Sequence, residues 1–371
     1  MMNNPFNPSF GTVPSVFLDR DSLSQRVITE LNSGNSPFQT SLIYGQRGAG
    51  KTTLMTDVAN ELENSSNWQV VNLVLDDDLL GSLIAQLREK LVTLKLLSEV
   101  DLKIEFKGIQ FNTSMGNDNN DNKEANFQTI FHRLLTKFTQ KGINILITID
   151  EVKATPLLRK LVSCYQVMLR DNLHVSLLMA GLPENVSEIQ NDDVLTFPLR
   201  ANRITLNPLD VESIKNSYAR IFKKAGYQLD IPTVIYMTKQ TKGFAYAFQL
   251  LGYWVWKSAD EQDNTVITKE TIDRVLEQYI SDLFRNVYYK VYHEMTEKER
   301  QFVQAMVKVG RPKVKAQEIG REMDKKPGYI SVYRRKLIDD QVIMPASYGY
   351  VQFMLPYFDR FIEEQIMLDE F

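Results

Sequence analysis

Thr40-Ser41-Leu42-Ile43-Tyr44 runs without a break into Gly45-Gln46-Arg47-Gly48-Ala49-Gly50-Lys51-Thr52-Thr53, and this junction decides the fold. The first five residues read as a buried strand. The next eight, Gly45 through Thr52, fit G-x-x-x-x-G-K-[ST] in full. A helix should follow and end near Asn64. The order strand, glycine-rich turn, helix is what a phosphate requires. Glycines let main-chain N–H groups point inward around it. The helix beginning near Lys51 adds the positive end of its dipole. Lys51 supplies a point charge for β- and γ-phosphates, and the Thr52 hydroxyl suits Mg²⁺. The competing reading is a glycine-rich turn with no ligand; the flanking strand and helix favour the phosphate.

Working outward, residues 69–75 read as a second strand and 81–95 as a helix. That alternation argues for a parallel sheet with crossover helices. Residues 102–111 suggest a short hairpin turning at Gly108, and 115–126, dense in Asn, Asp and Gly, a solvated loop. A helix is expected over 127–140. Residues 143–149 form the most apolar strand of the chain, and Asp150-Glu151 stands at its end. A strand apolar on both faces belongs in the middle of a sheet. Its end then delivers Asp150 to a metal, through water, and Glu151 to the attacking water, as in a Walker B element. An ordinary polar strand end is the alternative. A helix over 157–170 and a buried strand over 175–180, stopped by Gly181 and Pro183, complete this region. Before the first strand lie a Pro/Asn-rich stretch through Pro14 and a helix over 20–32, capped by Asp19 or Asp21.

After Pro208 the pattern becomes helix upon helix: 211–225, 231–238, 244–259 and 269–280, punctuated by Gly226 and Gly243. Beyond about Tyr289 it changes again. Thr296 with Glu299 is a capping-box signature opening a helix to Val309. Helices over 316–323 and 328–339 and two short strands within 342–355 follow. That is the order of a winged helix-turn-helix. Residues 308–336 hold ten Lys/Arg against three acids, a local charge of +7. In a helix-turn-helix the third helix enters the major groove. Tyr329, Ser331, Tyr333, Arg334 and Arg335 would then face phosphates or base edges, with Lys325 and Lys326 at the helix start and Tyr348 and Tyr350 in the wing. Winged helices also make protein contacts, and that reading stays open.

Composition narrows the rest. The 371 residues suggest two or three domains, and 43% hydrophobic with 24% charged residues is ordinary for a globular chain. No apolar run approaches the roughly 18 residues of a membrane span. Residues 1–10 lack the basic cluster and apolar core of a signal peptide, so a cytoplasmic location is expected. One cysteine, Cys164, excludes an internal disulfide, and with three histidines a Cys/His metal site is not expected. The net charge of -3 offers no global attraction to nucleic acid, so any such binding needs a local patch.

On these motifs the chain resembles the AAA+ and STAND-like P-loop ATPases, above all the origin-recognition-like group and the archaeal and bacterial ATPases that carry a winged helix. The resemblance implies an α/β P-loop core over 1–208, a helical lid over 209–288 and a winged helix-turn-helix over 289–371. Pro14-Ser-Val-Phe17-Leu-Asp19-Arg20-Asp21 looks like the group's amino-terminal box, with Asp19 where a glycine is usual. Val13, Pro14, Phe17 and Arg20 would line the adenine. Arg200, or else Arg203, takes the place of an arginine finger that reaches a neighbour's γ-phosphate in a homo-oligomer. Residues 241–252 look like the lid helix that begins with sensor 2, but its arginine is missing and Lys242 is the nearest cation. No Asn, Thr or Ser stands at the sensor 1 position near Ala180-Gly181. These departures fit a nucleotide-controlled switch better than a fast motor. The implied function is an ATP- and Mg²⁺-dependent switch that binds duplex DNA, in replication, transposition or phage-related regulation. The alternative is a STAND-type signalling or defence regulator whose winged helix contacts a protein.

Overall fold

Asn144–Ile149 (β3) is buried at every position from Ile145 to Ile149, and Val175–Gly181 (β4) is buried throughout. Strands with no polar face lie at the centre of a parallel sheet. The computed structural model, which describes residues 3–9, 21–34, 36–96, 121–183, 185–186, 201–262 and 265–369, shows that arrangement. Thr40–Tyr44 (β1), Trp68–Leu73 (β2) and Asn202–Thr205 (β5) complete a five-stranded sheet of order β2-β3-β4-β1-β5, every pair parallel. Among the described residues the flanking helices are Asp21–Asn32 (α1), Lys51–Glu63 (α2), Leu79–Thr93 (α3), Asp121–Gln140 (α4) and Pro156–Arg170 (α5). One face of the sheet, with Leu42, Val71, Ile145, Ile147, Ile149, Leu177 and Met179, packs with Leu83, Phe131, Leu134, Phe138, Leu161 and Tyr165 in a single apolar core.

Two elements depart from expectation. Helix α4 starts at Asp121, inside the stretch that its Asn/Asp content marks as loop. Strand β5 is new: only Ile204 points inward from it, and four residues are too few for an alternation to be read. The expected hairpin over 102–111 lies outside the described residues.

The chain divides into two compact units. One is Ser22–Tyr44 with Leu54–Thr205; the other is Met1–Asp21, Gly45–Thr53 and Leu206–Phe371. In the second, Val211–Lys224 (α6), Ile231–Lys239 (α7), Ala245–Glu261 (α8) and Lys269–Leu283 (α9) form the expected helical region, joined by a small parallel pair, Gln228–Leu229 (β6) and Val266–Ile267 (β7). A π-helical turn over Phe284–Tyr288 leads into Tyr289–Glu294 (α10). Then come Glu297–Val309 (α11), Val314–Lys315 (β8), Ala316–Glu322 (α12), Pro327–Asp339 (α13), Ile343–Ser347 (β9), Tyr350–Phe353 (β10) and Phe358–Asp369 (α14). The Thr296–Glu299 capping box forms as expected, with both arms made. The three-stranded sheet has the order β8-β10-β9.

Helix α14 went unread in the sequence although Phe358, Phe361 and Ile362 recur at helical spacing. It ties the end of the chain to the helical region. Phe361 meets Phe284 edge-on at 5.2 Å, the Tyr288 hydroxyl donates to Pro356 O at 2.5 Å, and Arg360 grips Glu277 with two hydrogen bonds of 2.8 and 2.9 Å. One continuous apolar core therefore runs from α6 to α14. No helix among the described residues is long and apolar enough to cross a membrane.

The amino-terminal stretch that reads as irregular is anchored in this second unit. Phe6 is 2% exposed and sits among Tyr218, Phe222, Phe248 and Trp256. Its seat exists because residue 252 is glycine: a Cβ there would come within 2.4 Å of the Phe6 ring. Asn4 and Asn7 fasten the backbone to Tyr253 O and the Gln249 side chain. Truncating Phe6 to alanine should lower unfolding stability by about 3–5 kcal/mol, read by denaturant titration of the full chain. A loss below about 1 kcal/mol would show that the stretch is only loosely seated.

Candidate nucleotide site

Strand β1 ends at Tyr44 and helix α2 begins at Lys51, so six residues make the turn between them. Gly48 and Gly50 turn it with φ of +80° and +93°, a region that a side chain makes costly. Gly48 is constrained twice. A Cβ on it would lie 2.7 Å from Phe244 Cζ and 2.9 Å from Tyr246 Cβ. Its carbonyl accepts from Tyr246 N at 3.1 Å, so the first turn of α8 lies directly against the loop. Lys51 folds back and donates from Nζ to Gly45 O at 2.9 Å and Gln46 O at 3.1 Å. Burial raises the pKa of the Tyr246 hydroxyl, and the hydrogen bond from Asn286 partly offsets this.

The loop is also held from the carboxy-terminal side. Gln46, 6% exposed, donates its main-chain N–H to Gln341 Oε1 at 2.9 Å and its side-chain amide to Asp340 O at 2.6 Å. Its own Oε1 accepts from Arg47 N at 2.9 Å. Gln341 Nε2 reaches Leu206 O at 3.5 Å, and Arg47 lies 3.8 Å from Glu294. The cavity left between Gln46, Ala49, Leu206, Phe244 and Gln341 measures 20 Å³, about the space of one water. No sequence signal points to Gln341: it stands 295 residues from Gln46 and belongs to no motif.

In the other unit, β3 delivers Asp150 and Glu151. Asp150 Oδ1 accepts from Glu151 N at 2.8 Å. Glu151 is exposed and has φ +51°, an uncommon conformation for a non-glycine residue and one that collects at functional sites. Val152 N donates to Ala180 O at 2.9 Å, which pins the chain after it. Ile149 lies level with Met179, and Tyr44 with Gly181, so β1 and β3 finish at the same edge with β4 between them. Open parallel sheets bind ligands at the carboxyl ends of their strands.

Other candidates are scattered. Pro14, Phe17, Arg20 and Arg200 lie outside the described residues. Arg203 is exposed on edge strand β5, and Lys242 is exposed with φ +45°. On α13 the candidates divide. Lys325, Lys326, Ser331 and Arg335 are exposed. Tyr329, Tyr333 and Arg334 are half-buried, the two rings 4.8 Å apart. Part of the local charge is spent internally: Lys336 lies 2.5 Å from buried Glu299, Arg311 3.0 Å from Glu318 and Arg335 3.8 Å from Asp339. The exposed face also carries Val332, 63% exposed, which motif reading passed over.

Comparison with known proteins agrees with the sheet and the loop. Residues 20–228 match the KAP family P-loop domain, and residues 285–362 match a domain of unknown function, DUF8462. A search of the curated proteins found no match. Among solved structures, a Walker-type ATPase of Pyrococcus abyssi is similar at 13% identity and a TM-score of 0.61, over 94% of this chain and 96% of that one. The ORC2 protein of Aeropyrum pernix, determined in ADPNP–ADP complexes, is similar at 12% identity and a TM-score of 0.63, over 98% and 97%. At such identities these likenesses establish the fold alone: a P-loop core of parallel sheet and flanking helices, with further helices after it. The KAP match spans more than half of the 371 residues, and by that measure the chain belongs to the KAP family of P-loop NTPases.

Proposed function

We propose that the protein is an ATP-binding switch that hydrolyses ATP slowly, with Mg²⁺, and whose carboxy-terminal winged helix binds duplex DNA. The observation that carries the nucleotide part is the phosphate loop itself, with Lys51 folded over it at the head of α2. Main-chain N–H groups of Gly48 and of Gly50 to Thr53, with the Lys51 ammonium, hold the phosphates; the Ala49 N–H donates to Gln46 O at 3.0 Å and shapes the loop. The Thr52 hydroxyl and the Asp150 carboxylate are hard oxygen donors of the kind Mg²⁺ takes. Mg²⁺ keeps several waters and takes phosphate oxygens beside one or two protein ligands, so two such donors suffice. Bound there, Mg²⁺ supplies the charge that offsets negative charge building on the transferred phosphoryl group. Glu151 orients the attacking water and accepts its proton. The resemblance to origin-recognition-like ATPases is what assigns Pro14, Phe17 and Arg20 to the base and Arg200 to a neighbouring subunit's γ-phosphate.

Slow turnover follows from what ends the neighbouring elements. Gly181, where a sensor side chain would stand, is packed against Val152: a Cβ there would meet Val152 Cγ2 at 3.0 Å. The sensor 2 arginine is missing, and Lys242, the nearest cation, does not match its position. Such a site holds its triphosphate long enough for the bound state to act as a signal. A cytoplasmic location accords with this role.

DNA binding is supported by Lys325, Lys326, Ser331 and Arg335 on the exposed side of α13. Val332 beside them suits contact with a thymine methyl. A protein partner, in a signalling or defence regulator, is favoured by the internal ion pairs of Lys336 and Arg311 and by exposed Val332, Met344 and Tyr348. Replication, transposition or phage-related regulation is the setting that goes with the DNA reading.

Lys51→Ala should abolish ATP binding in calorimetry, while Glu151→Gln should bind ATP and lose about 10²- to 10⁴-fold in turnover. Wild-type turnover in Glu151→Gln would move the base elsewhere. Arg334→Ala combined with Arg335→Ala should weaken duplex binding and reduce its logarithmic salt slope by about 1 to 2. An unchanged slope would favour the protein partner.

A further inference from the structure

Helix α13 ends in a turn whose backbone asks for glycine. Gln341 N donates to Ile338 O at 2.9 Å and Val342 N to Leu337 O at 3.0 Å, the paired closure of a Schellman motif. In that motif the residue after the cap takes the left-handed conformation, and Gln341 does, with φ +57°. Glycine is favoured there because a Cβ crowds the following carbonyl. The chain uses glutamine instead, and the glutamine side chain is employed at both ends. Its oxygen accepts the Gln46 N–H and its amide reaches Leu206 O, while the neighbouring Asp340 carbonyl accepts from the Gln46 side chain. The start of the phosphate loop is thus fastened to the carboxyl end of α13. The helix has 13 residues and spans about 20 Å, and Lys325 and Lys326 stand at its other end.

We propose that Gln341 is a positioning residue of the phosphate loop, and that α13 is the rigid link through which a ligand on its exposed face and a nucleotide in the loop alter each other's affinity. The proposal rests on the nucleotide reading above. The N–H groups that hold phosphates begin at Gly48, two residues after Gln46, and the Arg47 N–H between them donates to Gln46 Oε1, so the anchor of Gln46 sets their starting point. A buried N–H that loses its acceptor is costly, and the loop would shift to satisfy it. Linkage makes the effect reciprocal: whatever displaces the α13 turn changes nucleotide affinity, and nucleotide changes the affinity of the α13 face by the same factor.

Gln341→Gly separates this role from a structural one, since glycine suits the turn and lacks the arm. The full chain is titrated with a fluorescent ATP analogue and Mg²⁺, melted without nucleotide, and followed by hydrogen exchange. The variant should melt near the wild type and keep protection at 337–342. Exchange across 45–51 should speed up, and the dissociation constant should rise about 5- to 30-fold. Gln341→Glu, which keeps an acceptor for Gln46 N, should restore protection of the loop. If Gln341→Gly binds the analogue as the wild type does, with unchanged loop exchange, the positioning role is lost while the nucleotide site stands. If the wild type itself binds no analogue, the nucleotide reading falls and this proposal with it. Should the glycine variant unfold, the wild type decides. ATP must then slow exchange across 325–342, and unchanged exchange there overturns the link.

Discussion

Buried against other segments of its own chain, the Gln46 N–H is cut off from solvent and needs an acceptor. It finds Gln341, and much else follows from that bond. The acceptor has to sit on a fixed element, so the Asp340–Gln341 turn is held by the closure of α13. Helix α13 is held in turn by the Lys336–Glu299 pair to α11, whose capping box engages the same glutamate. The bundle is closed onto the helical region by α14, through Arg360–Glu277 and the aromatic contacts of Phe361. The carboxy-terminal third is thereby part of the surroundings of the loop.

The other side of the loop is closed by sterics. Gly48 meets Phe244 and Tyr246 so tightly that no side chain fits, and its carbonyl is committed to Tyr246 N. A nucleotide arriving here meets a loop whose outer surface is already braced. Bracing of this kind lowers the ordering cost of binding. It also means that displacement of α8 or of the α13 turn reaches the loop directly.

Local signals explain what was legible in the sequence. Strand β1, the loop and α2 lie within 24 consecutive residues, and their pattern is set by glycine, lysine and a buried strand. Strands β3 and β4 were readable because they are apolar at nearly every position. Strand β5 was not, having a single inward residue, and Phe6 was hidden because its partners lie more than 200 residues away. The clasp at Gln341 was beyond reach for the same reason: a glutamine in a turn carries no mark of what it touches. Charge counting over 308–336 overstated the surface, since it could not see that Lys336 serves a buried carboxylate.

The account stands on a triphosphate being gripped by the braced loop, and ligand-linked stability tests this most directly. A species that binds only the folded chain stabilises it by RT ln(1 + [L]/Kd), about 2.7 kcal/mol at a hundredfold excess over Kd. The full chain should therefore melt at progressively higher temperature as ATP is added with Mg²⁺ in excess, the rise following the logarithm of ATP concentration. A melting temperature that stays put across millimolar ATP would contradict the account.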